Sequence, residues 1–336
     1  MSNIIKDINN FGNDWFRCTI SKQSLKKLTY RSNWPGIRHV SIYFLILFLF
    51  GYMTFISWGT WWSLFWYLLY ALVYASSNAI WHETSHRTAF RSRALNNFFY
   101  HISSFMTNFE PIRWRWSHAV HHSYTASSAN PHDYEVDMSI FSRPRLSSFL
   151  LQFVPLSGLL SLHKSLQKET LLHALGFSTP VMKECIPENE RSKCRFVARI
   201  HVSLWITIVV VAIMLNSIFP ILFFLIPFYV GWPITTLWAL TQHVGLPADV
   251  KDHRFTCRSI YLNPFFSFLY WKMEYHIEHH MFPMVPSYNL PKLYELIKDQ
   301  LPKRKTGLFD AYKEIIPAVL KQSKDSKYFI PVKITK

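Results

Sequence analysis

Four stretches of this chain are long and apolar enough to cross a lipid bilayer, and they restrict its architecture more than any other feature. Backbone groups find no water in the bilayer core, so only helices and closed barrels span it. About 20 helical residues, rising about 1.5 Å each, cross a hydrocarbon core of about 30 Å. Residues 39–57 (HVSIYFLILFLFGYMTFIS) and 61–80 (WWSLFWYLLYALVYASSNAI) meet that length, and only Trp58, Gly59 and Thr60 separate them. They read as a tight helical hairpin, with Trp58, Trp61 and Trp62 in an interfacial aromatic belt. Residues 202–219 and 221–241 form a second pair around Pro220. Pro227 and Pro233 should kink the last span, which membrane helices tolerate. The expected fold class is all-α and integral to the membrane: four transmembrane helices as two hairpins, with a helical cap on the cytosolic side.

Half of the 336 residues are apolar and 17% are aromatic, too much for an ordinary soluble enzyme. The net charge of +16 calls for an anionic partner. The spans favour lipid or an acidic protein over nucleic acid. No apolar h-region opens the chain, so the first span, and not a cleaved signal peptide, is expected to direct insertion. Residues 1–38 carry Lys6, Arg17, Lys22, Lys26, Lys27, Arg31 and Arg38, whereas the two short turns carry no Lys or Arg. The positive-inside rule places both termini and the long middle segment in the cytosol. Three regions follow: a cytosolic segment 1–38, a membrane domain 39–295 and a cytosolic tail 296–336. Residues 94–108 and 147–162 read as amphipathic helices on the membrane surface. Residues 183–195 read as a solvated loop, and a short helix follows the Pro-punctuated turn after residue 280. Cys18, Cys185, Cys194 and Cys257 have no paired spacing, so free thiols in a reducing compartment are expected.

Histidine carries the chemistry. His82 and His86 lie in HETSH, His118, His121 and His122 in HAVHH, and His276, His279 and His280 in HIEHH; His243 stands alone after the last span. Spacings of three and four put the rings of a box on one helical face. Neutral imidazole is the commonest side-chain metal ligand. Nine rings exceed one tetrahedral zinc and point to two ions in a nitrogen-rich site. The positive-inside rule puts all nine on the cytosolic side, close to the membrane, although it takes no account of histidine. Imidazole suits zinc, copper, iron and nickel alike, so the ligands do not name the metal. HETSH also matches the H-E-x-x-H of zinc proteases. A protease needs one further ligand, however, and this chain offers seven more histidines in matching clusters. Glu83 is then expected to orient a ligand ring. His39, His101, His163, His173, His201 and His253 lack partners at helical spacing and are expected at the surface or an interface. Transport is disfavoured, because the spans are nearly free of charge and the histidines lie outside them.

HETSH, HAVHH, the lone His243 and HIEHH resemble, in order and topology, the histidine boxes of the membrane fatty-acid desaturase and hydroxylase superfamily, from about residue 60 to about residue 295. The resemblance implies two irons held by His82, His86, His118, His121, His122, His243, His276, His279 and His280. It implies O₂ as co-substrate, a ferredoxin- or cytochrome b5-type electron donor, and cleavage of an unactivated C–H bond. The expected reaction is desaturation of a fatty acyl chain at the membrane surface; hydroxylation of an alkyl or methyl group at the same site is the alternative. The first box is shorter than in many acyl-CoA members. Ala239 stands where some members place an Asn one turn before the lone histidine, leaving Gln242 or Thr241 as candidates for holding water there. Asn130, Pro131 and His132 resemble the D-P-H that follows the second box in several members. His132, Asp133, Gln242 and Glu278, like Glu83, are expected to support the ligands and not to bind metal. Arg113, Trp114, Arg115 and Trp116 are either interfacial aromatics with snorkelling arginines or a headgroup grip. Met273, Met281 and Met284 are expected to pack.

Overall fold

A computed structural model describes residues 15–128, 132–135, 146–155, 166–325 and 327–334. Among them every secondary-structure element is a helix, apart from one isolated bridge between Ile260 and Lys305. The chain divides into two compact units. One, here the span unit, is Ser32–Trp114 with Leu151–Thr236; the other, the histidine unit, is Met1–Arg31, Arg115–Leu150 and Leu237–Lys336.

Three helical stretches are long and apolar enough to cross a membrane: Trp34–Ile56, Glu188–Met214 and Phe219–Ala239. Large apolar side chains stand exposed along the first two, among them Leu45, Phe48, Ile213 and Met214, as a lipid-facing surface requires. The Trp34–Ile56 helix opens with Pro35, whose missing N–H costs nothing in the first turn. Gly59, at φ +86°, makes the expected turn into the Trp61–Ala75 helix. The second expected span does not run unbroken to residue 80. The helix stops at Ser76 and a new one, Ser77–Ser85, begins. Ser76 turns its hydroxyl onto the Val73 carbonyl at 2.7 Å, the local competition that small polar residues bring to a helix.

The last span is broken too. The Phe219–Phe224 helix ends before Pro227, which has no N–H to give the carbonyls behind it. Three tyrosines on the Trp61–Ala75 helix supply the missing donors. Tyr67, Tyr70 and Tyr74 donate to the carbonyls of Leu222, Phe223 and Phe224 at 2.8, 2.7 and 2.9 Å. In lipid each orphaned carbonyl would cost several kcal/mol, so this ladder is what makes the break tolerable.

Residues 183–195 are not a loop. They fall in the Pro180–Cys185 helix and the start of the Glu188–Met214 helix, which begins well before residue 202 and ends before residue 219. The charged residues form the outer face of that start, while Cys194, Ala198 and His201 form a buried stripe at helical spacing. Residues 94–108 are helical over Arg93–Met106, and 147–162 over Leu146–Leu151; residues 156–162 lie outside the described set. All four cysteines are free and buried.

The histidine unit is built from short helices: Lys22–Leu28, His253–Thr256, Pro264–Leu269, His276–Met281, Leu290–Ile297 and Leu308–Gln322. Residues 296–325 and 327–330 include packed structure. Ala318 of the last helix, Ile330 and Leu246 form a small apolar cluster, and the Ile330 N–H bonds the Gly245 carbonyl at 2.8 Å.

Candidate metal centre

Three lengths of chain bring histidine rings together inside the histidine unit. His118, His121 and His122 lie near the end of the Pro111–Ser123 helix, His243 follows the Pro227–Ala239 helix, and His276, His279 and His280 occupy the His276–Met281 helix. Nitrogens of His121, His243, His276 and His280 lie within 4.8 Å of one another, as do those of His118, His122 and His279. Each H-x-x-H-H box is therefore divided between two sets. The i, i+4 pair goes to one set and the middle ring to the other. His82 and His86 belong to the span unit, at the end of the Ser77–Ser85 helix, with their rings 5.2 Å apart and perpendicular.

Hydrogen bonds behind the rings fix their tautomers. His121 Nδ1 donates to Asp133 and His118 Nδ1 to Glu135, both at 2.8 Å; His243 Nδ1 donates to the Thr256 carbonyl at 2.8 Å. Thr125 spends its hydroxyl proton on the His121 carbonyl at 2.7 Å, so its oxygen accepts from His280 Nδ1 at 3.2 Å. Each of these rings is left with a lone pair on Nε2. Yet His121 Nε2 and His280 Nε2 stand 3.2 Å apart. Two lone pairs at that distance repel unless a proton or a metal cation lies between them. With four ring nitrogens converging there, the donor set fits a metal ion.

Burial, then the neighbouring His121, pushes the His243 imidazole down to about 3. Burial, followed by His122 and His276, pushes His280 well below the usual histidine range. Both stay neutral, the form that ligates. Burial also works against a charged His121, but Asp133 outweighs it and the net shift is upward. A carboxylate behind a ring makes it a stronger donor. Asp133 is itself fixed by the N–H groups of Ala126 and Glu135 at 2.8 and 3.0 Å. Replacing it with asparagine should lower metal affinity about 10- to 100-fold, read by competition with a chelator. An unchanged affinity would remove Asp133 from this role.

The third box is held from behind as well. Ser259 donates to the buried Glu278 carboxylate at 2.6 Å and accepts from the Ile277 N–H at 3.0 Å; burial raises the Glu278 carboxyl. Glu83 is buried on the helix that carries His82. His132 is half-buried against Tyr134, with ring centroids 4.9 Å apart, and belongs to neither nitrogen set. Gln242 is half-buried, and Thr241 bonds the Trp238 carbonyl at 2.6 Å. Asn130 and Pro131 lie outside the described residues. Arg113 does not snorkel: it is buried, paired with Glu169 at 2.7 Å and stacked over Trp114. Met273 and Met281 are buried, whereas Met284 is exposed.

Sequence reasoning missed two residues here. Glu135 sits two positions beyond Asp133, and the D-Y-E run after the second box was the available signal. His253 gave no signal, being off helical spacing from any box. It is buried, not superficial, stacked on Trp15 at 4.2 Å and 5.1 Å from the His280 ring. His173 and His201 are also buried, because each faces the inside of its own helix packing; His163 lies outside the described residues.

His173 meets Glu110 and Cys194 in a second cluster, within the span unit. This trio satisfies itself without a cation. The Cys194 thiol donates to Glu110 at 2.9 Å, and the same carboxyl caps the second-box helix by accepting from the Ile112 and Arg113 N–H groups. Burial raises the Glu110 carboxyl to about 7 and lowers His173 to about 4, so both lean to their neutral forms.

No curated protein matches the chain. The family model described as fatty acid desaturase matches residues 57–312, which include every histidine of both nitrogen sets and of the first box. With its membrane-length helices and histidine clusters, the chain belongs to the fatty acid desaturase family, membrane oxidoreductases that act on fatty acyl chains.

Proposed function

We propose that this chain is an O₂-dependent di-iron oxidoreductase that desaturates a fatty acyl chain at the membrane surface. The observation that carries the reading is the division of seven rings into two separate nitrogen sets, with facing lone pairs at 3.2 Å. The proposed ligands are those seven with His82 and His86, which join them on the likeness of their box. Bound iron would supply the oxidising power that breaking an unactivated C–H bond with O₂ requires. The protein's own part is narrower. Asp133, Glu135, Thr256 and Thr125 hold ring tautomers so that Nε2 atoms face inward. Burial of His118, His121, His276, His279 and His280 limits the access of water to the centre. An apolar groove of about 750 Å³ in the span unit, lined by Phe44, Phe48, Tyr70, Phe105, Phe223 and Phe224, suits an alkyl chain.

Overall, two hydrogens leave the acyl chain and O₂ leaves as two waters, with two electrons supplied one at a time by a ferredoxin- or cytochrome b5-type donor and two protons taken from water. The net charge of +16 favours an acidic donor, with rates falling as salt rises. The Lys and Arg bias supports a four-span topology with both termini and the boxes in the cytosol. Purified protein should hold about two irons per chain and, given O₂ and a reductant, yield a lipid two hydrogens lighter. A product heavier by one oxygen, labelled from ¹⁸O₂, would make the enzyme a hydroxylase. Activity that survives iron removal would end both readings.

A further inference from the structure

We propose that Arg258 and Glu314 are positioning residues for His243, which makes the Leu308–Gln322 helix a working part of the metal centre. The inference rests on His243 being a ligand, as in the reading above. Glu314 lies beyond the residues that the family match covers.

His243 sits in the turn that follows the Pro227–Ala239 helix, where the backbone no longer continues the helical ladder. Arg258 takes three carbonyls of that turn. Its Nη1 donates to the Thr241 carbonyl at 2.5 Å, its backbone N–H to the Gln242 carbonyl at 2.8 Å, and its Nη2 to the Val244 carbonyl at 3.2 Å. These carbonyls bracket His243 on both sides. Two residues before Arg258, the Thr256 carbonyl accepts from His243 Nδ1 at 2.8 Å. One short segment, 256–258, therefore grips both the ring from behind and the peptides that carry it.

What holds that segment in register is Glu314. It accepts from Arg258 Nε at 2.8 Å, and its other oxygen accepts from Lys305. The Arg258 guanidinium is buried and engaged at Nε, Nη1 and Nη2, which leaves it no freedom to turn. A lysine could not reproduce this, since an ammonium is a single point donor and not a fork. The bonds of Arg258 end on the turn that carries His243 and on Glu314, whereas His118, His122 and His279 stand on the Pro111–Ser123 and His276–Met281 helices. The clamp should accordingly govern one metal of the pair.

The test uses the full-length, iron-loaded protein, mixed with excess chelator, with iron loss followed over time. Arg258→Lys and Glu314→Gln should each release one iron per chain about 10- to 100-fold faster than wild type, while the other iron leaves at the wild-type rate. Faster release of both irons together would mean a general loss of stability and overturn the inference, as would unchanged release. If Arg258→Lys does not fold, Glu314→Gln decides by the same criterion. Wild type without iron would instead sink the metal-centre reading, and this inference with it.

Discussion

Replacing His280 with alanine should abolish the proposed activity and remove about one of the two bound metal ions. No other ring is placed like this one. Its centroid lies 4.2 Å from His122, 4.4 Å from His276, 4.7 Å from His121 and 5.3 Å from His243. It is buried, and the Thr125 oxygen fixes its Nδ1. Without it, the His121 lone pair has no counterpart, and a set of four donors falls to three. Turnover should drop at least about 10³-fold, equivalent to a barrier about 4 kcal/mol higher. Metal analysis and product formation are measured on the same preparation, with helix melting as the check on folding. Activity within tenfold of wild type, in a folded protein, would exclude His280 as a ligand.

Most of the centre was legible because helical spacing makes rings neighbours before any tertiary contact is known. His118, His121, His122, His276, His279 and His280 announce themselves in this way. The division of each box into two sets did not, because it depends on how the Pro111–Ser123 and His276–Met281 helices face one another. His253 and the Arg258–Glu314 pair were invisible for the same reason. Nothing local links residues 56 positions apart. In the spans, hydropathy located the apolar runs but not their ends. Helices extend past the hydrophobic stretch where a polar face can be solvated, as at Glu188, and stop inside it where a hydroxyl competes for the backbone, as at Ser76. Pro227 signalled a break, but the tyrosine ladder that repairs it joins residues some 150 positions apart. Those tyrosines could as well have been interfacial anchors by sequence alone.

That repaired break carries the second large effect. Gly231→Ala should leave little folded protein. A Cβ on Gly231 would lie 2.0 Å from the Ala71 carbonyl oxygen, 2.5 Å from its carbon and 2.8 Å from the Ala75 Cβ. The nearest atoms are backbone, so no side chain can swing aside and the two helices must part. Small residues at such crossings let membrane helices approach closely. Parting them here costs more than the usual overpacking of about 1–3 kcal/mol. The Trp61–Ala75 helix that Gly231 meets also carries the bonds from Tyr67, Tyr70 and Tyr74 to the carbonyls before Pro227. Gly51→Ala is the informative contrast. Its new Cβ would meet the Tyr70 ring at 3.2 Å and the Phe223 ring at 3.8 Å, both side chains, and a side chain can give by a few tenths of an ångström. Yield and melting of the detergent-extracted proteins should separate the two, with Gly51→Ala close to wild type. A Gly231→Ala protein melting within about 2 °C of wild type, under about 1 kcal/mol, would mean that the helices do not press together at this crossing.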